Sequence, residues 1–167
     1  MLAWELVRKN ITLMSEQIWN INQESTNPLL SLDFDRVCMY DYDNEPATGW
    51  DDLLIVKKDG MLTTAENIKQ VVELDSLTTK ELVHMLGDSK SYGDDIMRCF
   101  IPHLAFIFYR GTEIVFHVSI CLTCNNLRPS IAIPAHTAGR GMTILFRTFL
   151  NDLLDKHGFS HNVRWEE

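Results

Sequence analysis

An apolar run, a short turn and a second apolar run occupy residues 104–122, and no other stretch restricts the fold as strongly. Leu104–Tyr109 (LAFIFY) is continuous in apolar and aromatic side chains. Arg110-Gly111-Thr112 interrupts it, and Glu113–Leu122 (EIVFHVSICL) resumes with many β-branched residues. Two such runs joined by a few residues with a glycine predict an antiparallel hairpin. Neither run turns polar at every second position, so both of its faces must be covered, which puts the hairpin mid-sheet. A two-residue turn at Gly111-Thr112 would pair Arg110 with Glu113 and bring Pro102 opposite Cys121, and a slip of one residue would exchange the faces.

Three of the four cysteines, Cys99, Cys121 and Cys124, fall with His103 at the end of this hairpin remote from its turn. Four such donors are the number a tetrahedral zinc ion needs, and Cys-x2-Cys is a usual half of a zinc site. The same residues also suit a thiol redox pair, or plain buried thiols beside a hydrogen-bonded histidine. The spacing leaves these three readings open. Either zinc at Cys99, His103, Cys121 and Cys124 or no cofactor at all is therefore expected.

The strings Ser89-Lys90-Ser91-Tyr92-Gly93, Cys99-Phe100-Ile101-Pro102-His103, Phe106-Ile107-Phe108-Tyr109 and Ile120-Cys121-Leu122-Thr123-Cys124 carry a resemblance. They are similar to the SYG, CFxPxH, FY and ICxxC run of an uncharacterised family of small bacterial proteins with no assigned activity. The resemblance covers Asp88–Phe159, with a weaker echo before it. It implies a common fold and draws attention to the same three thiols and histidine without giving them a role. Arg98 just before the cysteine and the long Asn125–Arg140 loop depart from that pattern.

A chain of 167 residues, 46% hydrophobic, holds one ordinary core and not two, so 1–167 is expected to be a single domain. Its net charge of −8 opposes nucleic acid or an anionic membrane as partner and favours a protein with a basic surface. No uninterrupted apolar stretch reaches the length of a membrane span, and Leu2–Ile21 contains Glu5, Arg8, Lys9 and Glu16, unlike a leader peptide. A cytoplasmic location with reduced cysteines is expected, or a periplasmic or secreted one if a native leader precedes this chain. Nothing in the sequence fixes an oligomeric state.

Trp4, Val7, Ile11, Met14, Ile18 and Ile21 recur at three and four, predicting an amphipathic helix over 1–22 that packs on the sheet or faces a partner. A strand is expected near Asp33–Tyr40 and an exposed loop over 41–49. Seven carboxylates crowd Asp33 to Asp52. Asp41, Asp43 and Glu45 start like a calcium loop, but Pro46 and Asp52 replace its glycine and final glutamate, so a solvated face or a docking patch is favoured. Leu53–Lys57 reads as a short strand, 67–74 as another, and Thr78-x-x-Glu81 as a capping box opening a helix that Gly87 ends. The stretches 88–95 and 125–140 read as loops. Met142, Leu145, Phe146, Phe149, Leu150, Leu153 and Leu154 predict a last amphipathic helix closed by Gly158.

The fold class expected is α+β: a single antiparallel sheet built around the 104–122 hairpin, flanked by an N-terminal and a C-terminal amphipathic helix. GxSxG, GxxxxGK[ST], HExxH and GxGxxG are absent, and Cys99 and His103 on one strand would stand about 13 Å apart. Catalysis is disfavoured. A small acidic interaction protein, of the adaptor or toxin-neutralising kind, is the first expectation, and a zinc or thiol-redox module is the alternative.

Overall fold

The computed structural model describes residues 5, 7–15, 27–44, 50–136 and 139–160. Its strands are β1 (Arg36–Tyr42), β2 (Ile68–Glu73), β3 (Tyr92–Asp94), β4 (Leu104–Arg110), β5 (Glu113–Cys121), β6 (Asn126–Pro129) and β7 (Gly141–Met142). Its helices are α1 (7–15), α2 (Ser76–Gly87) and α3 (Ile144–His157). The rest of the helix expected over 1–22, the loop 45–49 and the tail from 161 lie outside the described residues.

The hairpin forms as its composition requires, and it is the middle of the sheet. The strand order is β2-β1-β4-β5-β6, antiparallel throughout. Arg110 pairs with Glu113 across the two-residue turn and Tyr109 with Ile114, but a bulge then shifts the ladder, so Phe108 faces Phe116 and Leu104 faces Ile120. Continuing that ladder by one step sets His103, not Pro102, opposite Cys121. The extra residue in β5 is Val115, and a bulge of this kind adds local twist to a hairpin.

Both hairpin faces are covered, as a run without polar alternation demands. On one face Met39, Phe106, Phe108, Phe116 and Val118 pack under α2 and α3 through Leu82, Leu86, Phe146 and Leu150. Phe108 meets the rings of Phe34 and Phe116 edge-on, each at 5.0 Å. On the other face Tyr40, Ala105, Ile107 and Tyr109 lie beneath Ile55, Val56 and Leu62, and the Tyr40 and Tyr109 hydroxyls hydrogen-bond at 2.6 Å.

Several local expectations are corrected. Leu53–Lys57 is no strand: a 3-10 turn, Trp50–Leu53, leads to one isolated bridge, Val56 with Leu62. This segment crosses the sheet's face, so side chains as well as the Met61–Thr63 backbone satisfy it, with Lys57 N donating to Met61 O and Thr63 N to Ile55 O, each at 2.8 Å. Tyr42 Oη donates to Leu53 O at 3.0 Å, and Ile55 N donates to Ser119 Oγ at 3.1 Å. Helix α2 begins before Thr78, because Asp75 Oδ1 accepts from Thr78 N at 2.8 Å. That carboxylate acceptor displaces the hydroxyl, and the same bond holds the Asp75 carboxyl below its ordinary range. The stretches expected as loops hold the short strands β3 and β6: β6 extends the main sheet, while β3 pairs with β7, which takes Met142 out of the expected last helix, in a second, two-stranded sheet where one sheet was expected.

Gly87 is the last residue of α2, but it serves close packing instead of a left-handed cap. A Cβ there would lie 2.1 Å from the Asn27 side chain. Asn27 is itself tied down, donating to Val83 O at 3.1 Å and accepting from Leu29 N at 3.1 Å. Helix α3 ends as expected, with Gly158 at φ 67° and Phe159 N donating to Leu154 O at 3.0 Å.

Candidate functional site

The topology brings three of the four expected site residues together. The turn after β5 folds Cys124 back onto Cys121, with Cys124 N donating to Cys121 Sγ at 3.2 Å. Met97 N donates to Cys124 O at 2.9 Å, which lays the segment before β4 along that turn and delivers Cys99 to Cys124. Cys99 is exposed, whereas Cys121 and Cys124 are buried with Phe100 and Leu54. The Cys124 thiol interacts with both of the others. Hydrogen bonding to Cys124 pushes the Cys99 thiol up, and burial pushes Cys124 up. Thiols so held stay protonated at neutral pH and are slow nucleophiles.

His103 goes elsewhere. Its Nδ1 lies 3.0 Å from Tyr42 O and 3.8 Å from Asp43 Oδ1, against β1. Among the described residues no group of three or more His, Cys, Asp or Glu side chains is arranged to hold a metal ion.

The acidic stretch is not one surface. Asp33 pairs with Arg110 at 3.2 Å, and Asp35 accepts from Gly111 N at 2.6 Å, so both brace the hairpin turn. Asp41 is buried and accepts from Ser160 Oγ at 3.0 Å, while Asp43 pairs with Lys69 at 3.0 Å. Four of the seven carboxylates are thus spent on the fold.

Among the described residues, two larger concavities flank these elements. One, of about 640 Å³, lies beside the thiols and is lined by Arg98, Arg128 and His136 over Met97, Leu127 and Pro129. The Arg128 guanidinium lies over Phe100 at 5.3 Å, and the His136 ring meets Tyr92 at 5.1 Å, tilted by 52°. Burial, and then Arg128, lower the His136 pKa.

The second, of about 560 Å³, is a groove between α2 and α3. Met85, Ile144, Leu145 and Phe149 make its floor and walls, and Glu81 and Asp152 stand on its rim. Ile144 and Leu145 are 52% and 56% exposed, so apolar surface is left open to water. Sequence reasoning had placed Leu145 and Phe149 in the core stripe. Phe149 does pack against the core, half-buried beside Phe146, whereas Leu145 is exposed and, with Phe149 at i+4, forms a second stripe about one residue's rotation from the buried Phe146, Leu150, Leu153 and Leu154. The surplus of apolar positions around that helix was the available signal.

No helix among the described residues is long and apolar enough to cross a membrane. No family model, curated protein or solved structure matches the chain.

Proposed function

We propose that the protein is a small binding module whose contact surface is the α2–α3 groove, and that its partner is a basic amphipathic helix. The observation that carries this reading is the exposed apolar floor flanked by Glu81 and Asp152. A helix laid along such a groove buries one stripe every three or four residues. Its flanking Lys or Arg side chains meet the rim carboxylates, and the chain's net charge of −8 favours the encounter. An adaptor or toxin-neutralising role belongs to this class of function. The basin at Arg98 and Arg128 would repel the same partner.

A designed amphipathic helix with Lys on the flanks of its apolar stripe tests this in fluorescence anisotropy. It is expected to bind, to bind about tenfold or more weakly to Leu145→Glu, and to lose affinity when its Lys residues are exchanged for Glu. Equal binding of both peptides, or an unaffected Leu145→Glu variant, would count against the groove.

The contact of exposed Cys99 with buried Cys124 supports a second reading, a thiol pair that closes to a disulfide. A low-molecular-weight disulfide oxidises the pair, slowly at neutral pH because both thiols stay protonated there: Cys99 sulfur attacks it, one thiol leaves, and Cys124 sulfur displaces the second while both protons pass to the released thiols. Treatment with oxidised glutathione should lower the free-thiol count by two and join the Cys99 and Cys124 peptides. A stable glutathione adduct on Cys99 in the wild type would rule the pair out.

A further inference from the structure

We propose that α1 of a second copy fills the α2–α3 groove, each copy giving its helix to the other. This rests on the groove being a docking surface and names its occupant.

Val7, Ile11 and Met14 lie on one side of α1, spaced four and three, and are 47%, 62% and 60% exposed. An isolated amphipathic helix is marginal in water unless its apolar stripe is packed. Arg8 flanks the stripe, while Glu5 and Lys9 share the opposite face, and the groove it would enter is lined by Glu81 and Asp152. The chain thus carries an uncovered stripe with a cation at its flank and an uncovered groove with carboxylates.

Residues 16–26 lie between Ser15 of α1 and Asn27, which is anchored to α2 at Val83 O. Within one chain the stripe is exposed while the groove stands open, so the helix is not spent on its own groove. Reciprocal exchange makes a closed, isologous pair and doubles the surface covered.

Sedimentation equilibrium on the full, reduced chain tests this, with Ile11→Glu and Leu145→Glu as variants whose folding is checked by circular dichroism. The wild type is expected at twice the chain mass, and each variant alone as a monomer. Mixed, they should recover dimer, because Ile11→Glu keeps a sound groove and Leu145→Glu a sound helix, restoring one of the two contacts. Misfolding cannot produce that recovery. A monomeric wild type, a dimer that survives either substitution, or a mixture that stays monomeric would overturn the exchange. If the Lys-flanked peptide still binds in that case, the groove reading stands and only self-pairing falls.

Discussion

At the scale of single residues, Gly87 shows how context reverses a general preference. Replacing glycine by alanine inside a helix ordinarily gains up to about 1 kcal/mol, since alanine loses less backbone freedom on folding. Here the new methyl group would overlap the Asn27 amide at 2.1 Å. Asn27 is buried and fixed at both ends of its amide, so it cannot swing aside without giving up its bonds to Val83 and Leu29. Gly87→Ala is therefore expected to destabilise the protein by about 1–3 kcal/mol, read as a lower urea midpoint at unchanged slope. An unchanged or raised midpoint would mean that Asn27 does not clasp this helix. The sequence points to Gly87 as a helix end, correctly, but for a different reason, because a tertiary contact across 60 residues leaves no local trace.

Among the elements, those with strong local signals were the legible ones. The hairpin announced itself through Gly111 between two apolar runs, and α3 through its period and the left-handed Gly158. The short strands did not, because β3, β6 and β7 have two to four residues each and alternation needs more length to show. The expected site was half legible for a related reason. Chain spacing put Cys99, Cys121 and Cys124 at one end of the hairpin, and folding brought them together. Spacing could not say that His103 would turn to the Tyr42 carbonyl on β1, a strand 60 residues away in sequence. The groove escaped notice because Leu145 and Phe149 satisfy the same three-and-four spacing as the buried stripe. Only the position of α2 decides which apolar side chains of α3 are covered.

For the whole molecule, two half-buried imidazoles set a pH dependence. Burial lowers the pKa of His117, whose Nδ1 has no hydrogen-bond partner, and burial with Arg128 lowers that of His136. Each binds a proton more readily in the unfolded chain. Their contribution is fully present above the unfolded value near 6.5 and is lost as pH falls toward the depressed folded values. Urea midpoints should drop between pH 7.5 and 5, and His117→Gln should shrink that drop. An equal drop in the variant would place its origin elsewhere. The sheet's margins bear on a different hazard. β2 presents Lys69 and Glu73 outward on either side of exposed Val71, and a bulge at Asp41/Tyr42 interrupts its pairing, while β6 has only four residues and closes on Pro129, which lacks an N–H. A stray strand finds no straight ladder to extend there. Copies that meet can stop at a counted assembly instead of seeding cross-β fibrils, even in crowded or warmed solution.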